Sequence, residues 1–176
     1  LRDGFFLLDP ERTLGETSET VFWADRGVLA PDECRLAADD LAGFLGEEDF
    51  AEFAAPYLKK SFNAFDSKVR FFHNDAGGLV CAPYLPDIGV NLFNFSFQHS
   101  LKEMKEKTAG KVCLLGNLPP RDVLAGGTPD DVRKGVKAMF EGVDDRRMII
   151  ASCGGGMSQN TPTENIEAFV EAVQDL

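Results

Sequence analysis

From Glu33 onward, short apolar runs alternate with amphipathic segments, which predicts an α/β domain built on a parallel sheet of about five strands. Two further observations support this class. Helix-start signals follow the runs, and a polar or glycine-rich group closes each run: Asp39-Asp40, His73-Asn74-Asp75, Asn94, Gly116-Asn117, and Cys153 with three glycines. Ligands collect at that end of the strands both in a (β/α)8 barrel and in a doubly wound open sheet, so the pattern alone leaves both architectures open.

The first 32 residues read as an irregular lead-in, with Leu1 to Leu8 apolar and Thr13 to Thr20 polar. The first strand is expected at Cys34 to Ala38. A helix should follow over Glu47 to Phe65, where Phe50, Phe53, Ala54, Tyr57, Leu58 and Phe62 share a face at helical spacing. Pro56 inside that pattern predicts a kink or break. The second strand is expected at Val69 to Phe72, ended by Gly77 and Gly78, with a short helix in Leu79 to Pro86. The third is Val90 to Phe95, followed by a helix over Ser100 to Thr108 with Ser100 and Glu103 in capping-box spacing. The fourth is Lys111 to Leu115. Its helix runs from Pro129 to Glu141, with Thr128 as N-cap and Pro129 in the first turn. The fifth is Met148 to Ser152. A last helix starts near Thr161-Pro162, with Ile166, Phe169, Val170 and Val173 on one face.

Composition narrows the function classes. A net charge of -11 without any cluster of Lys or Arg argues against nucleic acid as a partner. No apolar run reaches the roughly 20 residues of a membrane-spanning helix. The four cysteines, Cys34, Cys81, Cys113 and Cys153, are widely spaced, which fits reduced thiols in a cytoplasm better than a disulfide framework. His99 is expected at the surface of a helix start, and Trp23 and the phenylalanines in the core. Five strands are too few to close a barrel, and the chain opens on Leu1. The expectation is therefore that further strands lie in a longer parent chain or come from a second one.

Several segments occur together in order: Leu36-Ala37-Ala38-Asp39-Asp40-Leu41-Ala42-Gly43, Phe50-x-x-Phe53-x-x-Pro56-Tyr57, His73, Gly116-Asn117-Leu118-x-Pro120 and Thr161-Pro162-x-Glu164-Asn165. Over roughly 140 residues they resemble the uroporphyrinogen decarboxylase superfamily, which also contains methylcobalamin-dependent methyltransferases. The resemblance implies a (β/α)8 barrel about twice this length. Residues 1–176 would be a single domain, the C-terminal part of the barrel, with 1–32 as lead-in and 33–176 as about five βα units; the N-terminal barrel half would lie upstream.

The decarboxylases carry Gly-His-Gly shortly before Thr-Pro-x-Glu-Asn, whereas this chain reads Cys153-Gly154-Gly155-Gly156. The methyltransferase branch places a cysteine there, and holds zinc with it and an earlier His-x-Cys pair. On that likeness His73, Asp75 and Cys153 are candidate metal ligands, with Asp75 standing where the relatives have cysteine. His, Cys and Asp are all competent zinc ligands, and an open fourth position would hold a thiol acceptor as thiolate. A second reading dispenses with metal. Asn74, Asp75, Asn94 and Asn117, with Gly154 and Gly155 allowing close backbone approach, would cradle a pterin edge, and tetrahydrofolate would accept the methyl group. Asp75, Asp39 and Asp40 are candidate acid–base carboxylates. The methyl donor would be methylcobalamin on a separate corrinoid protein, and the acceptor a small molecule. Uroporphyrinogen decarboxylation is the alternative activity, and a catalytically silent fragment the alternative of another class.

Overall fold

The computed structural model describes residues 44–77 and 79–176, together with the backbone of Trp23–Ala24, Gly27–Val28 and Cys34–Ala38. The rest of the lead-in, Asp39, Asp40 and Gly78 lie outside the described residues. Two short strands, β1 (Trp23–Ala24) and β2 (Gly27–Val28), pair antiparallel. The five expected strands are present: β3 (Cys34–Ala38), β4 (Val69–Asn74), β5 (Leu92–Phe95), β6 (Cys113–Leu118) and β7 (Ile149–Cys153).

All five run parallel, and their order in the sheet is their order in the chain, β3-β4-β5-β6-β7. A doubly wound sheet reverses its order at a switch point. A singly wound one sends each right-handed crossover to the same face, so all helices cover one side and the sheet curls into a barrel arc. The five strands thus form an arc of a singly wound (β/α) barrel, as the resemblance implies, and the open-sheet alternative falls away.

Side-chain parity sorts the strands into two faces. Phe72 on β4, Phe93 and Phe95 on β5 and Leu114 on β6 point to the helices. There they join Leu85, Ile88, Leu101, Met104 and Val136 in the main core. Phe72 stacks on Phe93 at 5.9 Å and Phe93 on Phe95 at 5.4 Å between centroids, so a ladder of rings fixes the register of neighbouring strands. The other parity, Phe71, Leu92, Cys113, Leu115 and Ile150, forms a smaller apolar cluster on the barrel-interior face.

The helices follow their local signals with informative departures. Helical structure runs from α1 (Glu47–Asp49) through a π-helical turn, Phe50–Ala54, into α2 (Ala55–Asn63), where Pro56 sits in the first turn. The wide turn shifts the helical phase. Phe50 and Phe62 are buried, but Phe53 and Tyr57 of the expected apolar face point outward. A 3₁₀ turn leads into α3 (Leu85–Ile88), which Gly89 ends in the left-handed conformation (φ 97°). The Ser100 side chain accepts from the Glu103 amide at 3.1 Å to start α4 (Leu101–Lys107). Thr128 and Asp131 form a full capping box on α5 (Pro129–Met139). Finally, α6 (Thr163–Gln174) packs along α5. No helix among the described residues is long and apolar enough to cross a membrane.

Candidate active site at the strand ends

The strand ends β4 to β7 converge on the side chain of Asn94. It is almost fully buried on the barrel-interior face of β5. Its Nδ2 donates to the carbonyl of Leu115 on β6 at 2.6 Å and to that of Cys153 on β7 at 3.2 Å. With the amide nitrogen committed to two carbonyls, Oδ1 faces the other way. There it accepts the Gly155 N–H at 3.2 Å and lies 2.7 Å from His73 Nδ1. One amide therefore ties together four consecutive elements of the barrel rim.

This arrangement fixes a tautomer. Because Asn94 Oδ1 can only accept, His73 Nδ1 carries a proton and donates it. His73 Nε2 is left facing Asp75 Oδ2 at 3.4 Å. His73 and Asp75 are two residues apart, so strand alternation sends both to the same side. The Asp75 carboxylate lies directly against the glycine loop after β7: a Cβ on Gly155 would stand 2.5 Å from Asp75 Oδ2. Gly155 also adopts φ 87°, which side chains other than glycine tolerate poorly. The result is a His–Asp pair able to hold and pass a proton at the rim.

Cys153 does not join that pair. It ends β7 on the parity of Ile149 and Ala151, and packs among Leu118, Leu124, Val132 and Ala168 beneath the helices. Its thiol donates to the Gly155 carbonyl at 3.2 Å, and burial pushes its pKa up, which disfavours a thiolate. Among the described residues no three His, Cys, Asp or Glu side chains are grouped so as to hold a metal ion. The expected set of His73, Asp75 and Cys153 therefore does not fit zinc: two donors face the barrel interior and the third faces the helices.

The asparagine cradle is also only partly assembled. Asn74 is fully buried on the helical parity of β4, where its Oδ1 accepts the Ala76 amide at 2.9 Å and shapes the turn after the strand. Asn117 follows a cis peptide at Gly116. Its Nδ2 donates to the carbonyls of Ser96 and His99, pinning the loop between β5 and α4. Asn74 and Asn117 thus correct the expectation of ligand contact: both hold backbone. Asn94, His73, Asp75, Gly154 and Gly155 are the predicted residues that the fold brings together.

A cleft of about 410 Å³ opens beside them, lined by Asp75, Phe97, Arg121, Asp122, Gly154 and Gly156. Four residues of this region escape a reading of the sequence. Arg121 follows Gly116-Asn117-Leu118-Pro119-Pro120 at a strand end, so its position was the available signal. Phe97 carried none beyond its place after β5. Asn165 gives the Thr161-Pro162-x-Glu164-Asn165 segment a physical meaning. Fully buried, it donates to the carbonyls of Leu124 (2.9 Å) and Gly127 (2.8 Å) and fastens the loop that carries Arg121. His99 is not a plain surface residue. It bridges the Glu103 carboxylate (3.1 Å) and the Gly77 carbonyl (2.8 Å), fastening the segment just after Asp75.

A curled, singly wound parallel sheet with a polar rim at its strand C-termini defines the (β/α) barrel folds as a class. Within that class, the profile of uroporphyrinogen decarboxylase (URO-D) matches residues 33–176, and the chain belongs to that family. Uroporphyrinogen decarboxylase of Desulfotalea psychrophila is 25% identical over 163 residues, covering 91% of this chain and 47% of that protein. The decarboxylase of Prochlorococcus marinus is 29% identical over 144 residues, 78% of this chain and 39% of its own. A methyltransferase from Methanosarcina mazei superimposes with TM-score 0.69 over 81% of this chain and 42% of its own, at 24% identity. The chain spans about half the length of the curated relatives it matches.

Proposed function

We propose that this chain forms the acceptor half of a corrinoid-linked methyltransferase, which moves a methyl group from a methylcobalamin protein to a ring nitrogen of a tetrahydrofolate-type acceptor. The observation that carries this reading is the Asp75 carboxylate, backed by His73 and Asn94, in the wall of the strand-end cleft. A nitrogen acceptor uses its lone pair to form the new N–CH3 bond, the cobalt–carbon pair stays on cobalt, and the N–H proton must leave. Asp75 takes that proton, and the imidazole of His73 stabilises or relays it. A thiol acceptor would instead need the metal site that His73, Asp75 and Cys153 do not assemble. The Gly154-Gly155-Gly156 loop has no histidine, where the resemblance implies Gly-His-Gly in a decarboxylase, and this supports methyl transfer over decarboxylation.

The test is turnover of the purified protein with methylcobalamin and tetrahydrofolate, read as loss of the methyl–cobalt absorbance. Turnover is expected to persist after chelation of zinc, and Asp75→Asn should lower kcat by about 10²–10⁴-fold. Decarboxylation is the second reading, favoured by the names of the curated relatives. Conversion of uroporphyrinogen to coproporphyrinogen, without methyl transfer to any acceptor, would replace the proposal.

A further inference from the structure

Arg121 stands apart from the other arginines whose side chains are described. Arg70 donates to the carbonyls of Gly89 and Ser67. Arg133 pairs with Asp130 and Glu171, Arg147 with Asp145, and Arg146 with the Leu176 carbonyl. The guanidinium of Arg121 has no hydrogen bond or ion pair with any described residue, yet it lines the cleft. Its neighbour Asp122 lines the same cleft without forming an ion pair with it. Asp75, the other acid there, is engaged by His73.

The loop that presents Arg121 is held rather than loose. It forms a π-helical turn, Pro120–Ala125, whose carbonyls at Leu124 and just beyond at Gly127 are fastened by the buried Asn165. Opposite, the glycine loop after β7 is pressed onto the end of β5. A Cβ at Gly154 would stand 2.8 Å from the Phe97 nitrogen and 3.2 Å from the Phe95 oxygen. A Cβ at Gly156 would meet nothing within 4 Å, so this side of the cleft stays open. Phe97 itself is 46% exposed in the cleft wall, which leaves an aromatic face for a planar ring.

We infer that Arg121 and Phe97 form a subsite for a planar heterocycle bearing a carboxylate arm, with the ring against Phe97 and the arm on the Arg121 guanidinium. A guanidinium offers paired donors that match a carboxylate, which a solvated lysine does not. The cleft volume of about 410 Å³ lies at the lower end of the roughly 300–1,000 Å³ that holds small ligands. This inference deepens the proposed function and rests on it: it says which part of the acceptor the protein grips.

Calorimetric titration with three probes tests it: folic acid, 6-hydroxymethylpterin (the same ring without the acidic arm), and uroporphyrin. Folic acid should bind wild type at least about 10-fold tighter than the armless pterin. Arg121→Met should erase that difference while leaving the armless pterin unchanged, Arg121→Lys should restore part of it, and Phe97→Ala should weaken both pterins. Equal loss of both pterins in Arg121→Met, or no loss of either, overturns the assignment, as does preference for uroporphyrin. Methyl transfer measured on the same samples separates the two claims. Transfer from methylcobalamin without preference for the acidic arm sinks the subsite alone, whereas absence of transfer with any acceptor sinks the proposed function.

Discussion

Replacing Asn94 tests whether one amide holds the rim together. Four hydrogen bonds end on it, two short (2.6 and 2.7 Å) and two at 3.2 Å. Taking about 1 kcal/mol for each short bond and about half that for each longer one, Asn94→Ala should lose about 3 kcal/mol of stability. Asn94→Asp is the sharper variant. It keeps the shape, but a carboxylate cannot donate to the carbonyls of Leu115 and Cys153 and would confront both with lone pairs in a buried place. It should therefore be at least as destabilising as alanine despite being isosteric. Urea unfolding reads this as a fall in midpoint at unchanged slope, and hydrogen exchange should show loss of protection at the Gly155 amide. If Asn94→Ala unfolds within about 0.5 kcal/mol of wild type, or Asn94→Asp is as stable as wild type, the network does not organise the rim.

Three further outcomes follow from local geometry. Gly154→Ala should destabilise by about 1–3 kcal/mol through overlap with backbone at Phe97 and Phe95, whereas Gly156→Ala should stay within about 0.5 kcal/mol of wild type; equal effects would refute the close approach. Burial raises the Cys113 thiol from 9.0 to about 11, so at pH 8 its thiolate fraction is about 100-fold below that of an ordinary cysteine. Peptide-resolved alkylation of the native protein should find it correspondingly slow, with a rate still climbing above pH 9; free-cysteine reactivity at pH 8 would contradict this. The Thr128 hydroxyl and amide hold the Asp131 carboxyl below the usual carboxylate range. The cap is thus complete above the unfolded carboxylate pKa of about 4 and is lost as pH falls through the lower folded value. Wild type should melt above Thr128→Ala near neutral pH, and the gap should narrow without closing in acid, where the Asp131 amide still donates to the Thr128 hydroxyl; a gap independent of pH would argue against the carboxylate's part.

How much of this was legible beforehand follows from how far each determinant reaches along the chain. The sequence by itself determined the alternation of strands and helices, the Thr128-Pro129 helix start, and the placing of His73-Asn74-Asp75 at a strand end. Each depends on residues within a turn or two of one another, where periods of 2 and 3.6 operate. Tertiary structure decided the rest. That Cys153 faces the helices follows from the parity with which β7 enters a sheet assembled from distant segments. A π-helical turn before Pro56 rotated Phe53 and Tyr57 outward, against the helical pattern. Asn117 became a backbone anchor because the loop between β5 and α4 presented carbonyls to it, and Asn74, turned to the buried helical side of its strand, closes a local turn onto the Ala76 amide. Arg121 faces the cleft, without an ion pair among the described residues, from a loop that Asn165 on the last helix fastens. A side chain's direction at a strand end is set by packing between elements, and no local pattern carries that information.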